Sequence, residues 1–377
     1  MRWRFPVNQS INDPISLASE VLKNKQIDNI KDYDIFNLDY IPNKIYIRKE
    51  MKQIADYIGD YIVSGIPVNM IIYGNKGSGK TLSVLSLLKA FKELGKLDYS
   101  YIKATENPTS YSIFEAIAGI KDAKGYSLTY VMQKALEKIK DKHVIVIDEA
   151  NVIKDSTILY VLSRDTRAQI ILLTQKMLWF KSLEDNIKSS LMPKHIYFEP
   201  YNAVELKEIL KMRAEQGLKS YPEEGISLIS SYVFRNYSSD TRVGIRGLFY
   251  VGKENNWTKE NIENSLEEAY KEVEYSIIGK LRDIDIIILW ALIKDNNTNK
   301  AYPIAQDLMN KYIGYSISRR QYNNIVHELS SLDLIDIIKK REGRYYTLEI
   351  QFLIDKKFIF NEIEKRFNIK EDKSGDS

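Results

Sequence analysis

Gly74-Asn75-Lys76-Gly77-Ser78-Gly79-Lys80-Thr81 fits the pattern G-x-x-x-x-G-K-[ST], and it stands where that pattern has a mechanism. Before it runs the short apolar stretch Met70-Ile71-Ile72-Tyr73. After it, Thr81 to Leu94 carries Leu82, Val84, Leu85, Leu87, Leu88 and Phe91 at helical spacing. A strand, a glycine turn and a helix in that order make a phosphate cradle. Gly74, Gly77 and Gly79, with Ser78 between the last two, let backbone N–H groups close around phosphate oxygens without a Cβ in the way. The helix N-terminus adds its positive dipole end. Lys80 is a point charge suited to β- and γ-phosphates, and the Thr81 hydroxyl can ligate Mg²⁺.

Outward from the cradle the chain alternates strands and helices. Tyr99-Ser100-Tyr101-Ile102 reads as a strand, Ser112 to Ile120 as a helix, and Val144-Ile145-Val146-Ile147 as a continuous buried strand. Ile170-Ile171-Leu172-Leu173 and Ile196-Tyr197-Phe198 repeat the pattern. Short apolar strands separated by helices predict a parallel sheet covered on both faces. The run 144–147 ends in Asp148-Glu149, two carboxylates at the C-terminal end of a strand, where ligands of such sheets bind. Asp148 would hold Mg²⁺, and Glu149 would orient and deprotonate an attacking water.

After Pro200 the strands stop. Ala203 to Glu215, Gly225 to Asn236, Arg242 to Asn255 and Lys259 to Ile277 read as helices. A third unit starts near Asp283. Its helices are Ile284 to Ile293, Ile304 to Tyr312 and Ser318 to Leu332, followed by strands Ile335 to Lys340 and Arg344 to Ile350 around Glu342-Gly343. Three helices and a hairpin make a winged helix-turn-helix pattern. Arg319, Arg320, Gln321 and Asn323 begin its recognition helix and are types that reach base edges in a major groove. Lys339, Lys340, Arg341 and Arg344 give the wing a basic tip suited to phosphate or minor-groove contact. Seven Lys/Arg stand against four Asp/Glu between 311 and 346.

Composition narrows the rest. With 44% hydrophobic and 28% charged residues, the 377-residue chain is neither disordered nor fibrous and is long enough for two or three domains. It has no cysteine, which removes thiol catalysis, disulfides and cysteine-bound zinc. The three histidines (His143, His195, His327) are too scattered to predict a histidine metal site. The net charge of +4 permits a nucleic-acid partner without arguing for one. No stretch has the length of a membrane span, and Met1 to Pro6 lacks the apolar region of a secretory signal, so a cytoplasmic location is the expectation.

The order of phosphate loop, acidic strand end, polar strand end (Thr174-Gln175), helical lid and winged helix resembles the archaeal origin-recognition (Orc/Cdc-type) DNA replication initiators, AAA+ ATPases with a C-terminal winged helix. Tyr40-Ile41-Pro42 with Arg48-Lys49-Glu50 resembles that family's lead-in framing the adenine. The segments 158–164, 188–191, 198–201, 209–210 and 213–215 resemble further family motifs.

The resemblance implies an α/β fold: an AAA+ P-loop NTPase core (parallel five-stranded sheet, αβα), a helical lid and a C-terminal winged helix. The implied division is 1–39 lead-in, 40–200 core, 201–280 lid, 281–366 winged-helix domain and 367–377 flexible tail. Carried over by position, Tyr201 and Arg213 would contact the nucleotide, Gln175 would take the sensor-one role, and Arg242 would reach the γ-phosphate, with Arg246 as fallback. Gln175 stands where the family usually has Asn, and Asn186 where it often has Arg.

Those departures predict weak ATP hydrolysis, with ATP/ADP and Mg²⁺ serving as a conformational switch. The implied function is recognition of duplex DNA at replication origins and recruitment or loading of the replicative helicase. Paralogous initiator subunits are the implied companions, the location is nucleoid-associated, and no membrane is involved. Two other functions fit the same residues. One is an AAA+ transposition helper or signalling regulator whose winged helix binds protein. The other is a winged-helix transcription regulator.

Overall fold

The computed structural model describes residues 29–42, 44–120, 125–332, 334–342 and 345–368, with only the backbone described within 341–347. The helix expected at Ser16 to Leu22 lies outside these residues, as does nearly all of the expected tail. The chain divides into two compact units, one of residues 47–201 and 270 onward, the other of residues up to 46 and 202–269.

The larger unit opens with α1 (Lys49–Ser64), β1 (Met70–Gly74), α2 (Lys80–Glu93), β2 (Asp98–Lys103), α3 (Ser110–Ala118), α4 (Leu128–Lys138) and β3 (His143–Asp148). It continues through α5 (Thr157–Asp165), β4 (Gln169–Thr174), α6 (Met177–Ser182), α7 (Asp185–Leu191) and β5 (Lys194–Phe198). The five strands form one parallel sheet in the order β2-β3-β4-β1-β5. Their apolar runs are continuous because both faces are covered. Ile71, Ile145, Ile147, Ile170 and Leu172 face one core with residues of α3, α4 and α5. Met70, Ile72, Val144, Val146, Ile171 and Leu173 face the other with residues of α1 and α2. Each such buried side chain contributes roughly 1.5–3 kcal/mol.

Helices α1 and α4 are additions to the sequence reading. The first buries Met51, Ile54, Ile58 and Tyr61, a stripe at helical spacing, and ends at Gly65, whose φ is 71°. The second buries only Val131 and Ala135, too narrow a stripe to stand out.

The smaller unit holds α8 (Ala203–Gly217), α9 (Glu223–Asn236), α10 (Thr241–Glu254) and the first half of α11 (Lys259–Ile278). The lead-in belongs to this unit. Ile30 bridges Leu218, and Phe36 is fully buried beside Gly217, where a Cβ would come within 2.5 Å of its ring.

The winged helix follows in the larger unit: α12 (Asp283–Lys294), α13 (Thr298–Tyr312), α14 (Arg319–Ser331), β6 (Ile335–Glu342), β7 (Tyr345–Phe352) and α15 (Lys356–Phe367). Helix α13 starts six residues before the expected Ile304. Asn297 caps it, and Pro303 is accommodated inside. Helix α15 also extends the expected pattern. Phe358, Ile359 and Ile363 enter the winged-helix core, and Arg366 donates to the carbonyls of Leu281 (2.6 Å) and Gly279 (3.2 Å). Among the described residues no helix is long and apolar enough to cross a membrane.

His143 is buried at the start of β3, its Nε2 2.9 Å from Ser100 Oγ. Burial lowers its pKa, against a weaker upward pull from Asp98. A depressed imidazole pKa favours the fold above the unfolded value of about 6.5, and that contribution is lost as pH falls through the folded value. The urea midpoint is therefore expected to drop between pH 7.5 and 5.5, and His143→Phe to flatten that slope. An equal slope in both proteins would assign the drop to other groups.

Candidate nucleotide site

Strand order builds the site. β4 lies between β3 and β1, so the C-terminal ends of three adjacent strands present Asp148, Thr174-Gln175 and the phosphate loop side by side. This is the crevice in which ligands of parallel sheets sit.

The loop's shape needs its glycines at two points. Gly79 has φ 84°, and a Cβ there would lie 2.3 Å from the Tyr201 hydroxyl. At Gly74 a Cβ would lie 2.4 Å from the Phe198 carbonyl. Ser78 is buried, and its hydroxyl donates to Asn75 O at 2.8 Å. Lys80 Nζ donates to the carbonyls of Gly74 (2.8 Å) and Asn75 (2.9 Å).

Asp148 is the most heavily bonded acid of the site. Its Oδ2 accepts from Thr81 Oγ1 and from the Tyr101 hydroxyl, each at 2.8 Å, and its Oδ1 accepts from the backbone N–H of Glu149 at 2.9 Å. Burial and the adjacent Asp148 carboxylate push the Tyr101 phenol further above its ordinary value, so it stays protonated and acts as a donor. A hydroxyl and a carboxylate are hard oxygen ligands that suit Mg²⁺, which takes its remaining ligands from phosphate and water. Glu149 follows at φ 53°, a left-handed conformation uncommon outside glycine, at which backbone strain accompanies functional sites. Gln175 is half-buried beside it in strand order.

Tyr201 and Arg48 form the wall behind the loop. Arg48 is buried. Its Nη1 donates to Ser78 O at 3.2 Å, its guanidinium lies 4.3 Å from the centre of the Tyr201 ring, and its Nε is 3.4 Å from Glu50.

In the smaller unit, Arg213 is buried and donates to the carbonyls of Ile35 (2.6 Å) and Tyr40 (3.5 Å), clasping the lead-in; burial lowers its pKa. Arg242 lies in the first turn of α10 and pairs with the capping residue Asp240. Arg246 lies one turn on, stacked on Phe249.

In the winged helix, Gln321 closes the N-terminal capping box of α14 with Ser318, and Arg319 lies over the Tyr302 ring and bonds Asn299. Arg320, Asn323 and Lys339 are exposed, and Lys340 is exposed while pairing with Glu349 at 3.0 Å. The side chain of Arg341 and the whole of Arg344 lie outside the described residues.

The opposite end of α14 meets the nucleotide site. Asn151 Nδ2 donates to Ser331 O at 2.9 Å, Lys176 to Ser330 O, and Lys76 of the phosphate loop to Leu332 O at 3.4 Å. Lys154 pairs with Glu328 at 2.7 Å. Asn151 is itself fixed by the Thr174 hydroxyl at 3.0 Å. Cations and N–H donors at a helix C-terminus satisfy its last carbonyls and complement its dipole. Sequence reading missed Tyr101, Asn151 and Lys176, since nothing in the local sequence signals these pairings.

Comparison with known proteins accords with this architecture. A family model described as an AAA domain matches residues 68–180. The ORC1-type DNA replication protein 1 of Sulfolobus acidocaldarius is 26% identical over 390 residues, covering 94% of this chain and 97% of that protein. Its counterpart in Sulfurisphaera tokodaii is 25% identical over 363 residues, covering 87% and 91%. Among solved structures, the Aeropyrum pernix ORC1 protein in complex with DNA aligns with TM-score 0.69 at 21% identity, over 89% of this chain and 97% of that one. The Aeropyrum pernix ORC2 protein in ADPNP–ADP complexes aligns with TM-score 0.58 at 19% identity, over 90% and 100%. The resemblance read from the sequence is therefore borne out: this chain has the Orc/Cdc-type AAA+ fold and matches archaeal ORC1-type DNA replication proteins along nearly its whole length.

Proposed function

We propose that this protein is an ATP-binding initiator of DNA replication that recognises origin duplex DNA, helps recruit or load the replicative helicase, and hydrolyses ATP slowly as a switch. The observation that carries the reading is the phosphate loop set beside Asp148 and Glu149 in a chain that also carries a winged helix and matches ORC1-type proteins nearly end to end.

Lys80, Thr81 and the loop N–H groups bind the phosphates, Thr81 and Asp148 hold Mg²⁺, and Glu149 and Gln175 orient water. Arg242 and Arg213 are the lid's candidates for the nucleotide. On the DNA side, Arg320 and Asn323 present the recognition helix and Lys339 and Lys340 the wing, with Arg319, Gln321, Arg341 and Arg344 as further candidates. The names of the ORC1-type relatives and the DNA complex of the Aeropyrum protein support this side of the reading. Paralogous subunits and the helicase are the proposed partners.

The contacts of Lys76, Asn151 and Lys176 with the end of α14 give the switch a route. Two of the three loops involved flank the triphosphate position, and all three hold the helix that presents Arg320. ATP and DNA are then coupled reciprocally.

Footprinting on origin and promoter duplexes, with and without ATP, tests the whole reading. ATP is expected to change origin affinity by about 5-fold or more, and Asn151→Ala with Lys176→Ala to bring that factor close to one. Lys339→Ala in the wing is expected to weaken binding to any duplex several-fold and to lower the salt slope by about one, and Arg320→Ala to relax specificity for the origin sequence. Absence of duplex affinity at low salt would favour a winged helix that binds protein, and equal footprints on promoter DNA a transcription regulator.

A further inference from the structure

We propose that Tyr101 is a positioning residue for the divalent cation that accompanies the nucleotide, acting through Asp148. The inference rests on the nucleotide-site reading above and assigns a role to a residue outside the sequence motifs.

The geometry starts from strand register. Tyr101 on β2 pairs with Val146 on β3, and Asp148 stands two residues further along β3, on the same face. A diagonal neighbour at that spacing is within reach of a long side chain. The Tyr101 ring is packed against the core under α1 and α2, which fixes where its hydroxyl points, and that hydroxyl donates its single proton to Asp148 Oδ2 at 2.8 Å. Thr81 donates to the same oxygen at 2.8 Å, and the Glu149 N–H holds the other at 2.9 Å.

A carboxylate offers about four lone-pair sites. Three are occupied by protein donors, leaving one on Oδ1 for a metal-bound water. Torsion about the Cβ–Cγ bond of an aspartate is soft, so its plane is set by its donors. Thr81 spends its proton on Oδ2, so its own lone pairs face where the carboxylate plane directs them. Loss of the phenol proton leaves Oδ2 with one donor and lets both Asp148 and Thr81 drift, though neither ligand has been changed. Removing such an outer partner costs a metal site about 10-fold or more in affinity.

The test measures metal rather than turnover. Mn²⁺ binding to the ADP complex is followed by electron paramagnetic resonance in wild type, Tyr101→Phe, Asp148→Asn and the double variant, with ADP affinity measured separately in EDTA. Tyr101→Phe is expected to bind ADP in EDTA as wild type does and to hold Mn²⁺ about 10-fold more weakly. In the Asp148→Asn background it is expected to change nothing further. Unchanged Mn²⁺ affinity, an equal loss of metal-free ADP affinity, or a full effect in the Asp148→Asn background would overturn the role of Tyr101 and leave the site standing. A wild-type protein that binds no ADP under either condition would remove the site itself, and this inference with it.

Discussion

Replacing Lys80 by alanine is expected to weaken ATP binding by roughly 30- to 150-fold, about 2–3 kcal/mol, the range for hydrogen bonds to charged groups. The loop delivers this ammonium to one place. Two carbonyl bonds, to Gly74 at 2.8 Å and Asn75 at 2.9 Å, hold Nζ inside the cradle, so little side-chain freedom is lost when phosphate arrives. The loss should be larger for ATP than for ADP, because the charge serves the β- and γ-phosphates. Lys80→Arg should recover only part of it, since a planar fork does not fit a cradle built around a point charge. The urea midpoint should move little, as the bonds removed lie at a half-buried loop. Titration with a fluorescent ATP analogue checks the prediction, and an affinity unchanged within twofold would refute the assignment of the loop.

How far the sequence could be read follows from the range of each signal. The phosphate loop is contiguous, and its glycines are demanded by clashes with Tyr201 and the Phe198 carbonyl, so spacing alone revealed it. Asp148 and Glu149 were legible because a β-branched apolar run of four residues, too short for a helix, ends on them. Gln175 needed the family pattern, and strand order then set it between the other two strand ends.

What stayed hidden depends on pairings across the chain. Tyr101 reaches Asp148 through the β2–β3 register, 47 residues apart. Asn151 and Lys176 reach α14 across 180 and 154 residues. No local pattern encodes such distances. Helix α4 escaped for another reason: a stripe of one valine and one alanine carries too little contrast with its polar neighbours. In the winged helix the residue types suit DNA contact, yet Gln321 and Arg319 also serve local structure, as a capping-box arm and a ring-stacked cation, which composition could not foretell.

The wall behind the loop should carry the largest single effect on stability. Arg48 and Glu50 are 5% and 2% exposed, and neither carboxylate oxygen of Glu50 has a hydrogen-bond partner, so its charge rests on the guanidinium 3.4 Å away. Arg48→Ala leaves that carboxylate buried and uncompensated, at an expected cost of about 3–5 kcal/mol. That is a large share of the roughly 5–15 kcal/mol that holds a typical domain folded. Glu50→Ala should cost less, because Arg48 keeps the Ser78 carbonyl and the Tyr201 ring as partners. Arg48→Met with Glu50→Leu should recover much of the loss, since a buried pair repays little more than its own desolvation and apolar side chains of similar size fill the same space. Urea denaturation of the four proteins ranks these stabilities directly. A single Arg48→Ala variant within about 1 kcal/mol of wild type would mean that the pair is already solvated. The double variant separates stability from binding: if it folds like wild type yet binds ATP more weakly, Arg48 acts on the nucleotide through Ser78 and Tyr201, the two groups it holds against the loop.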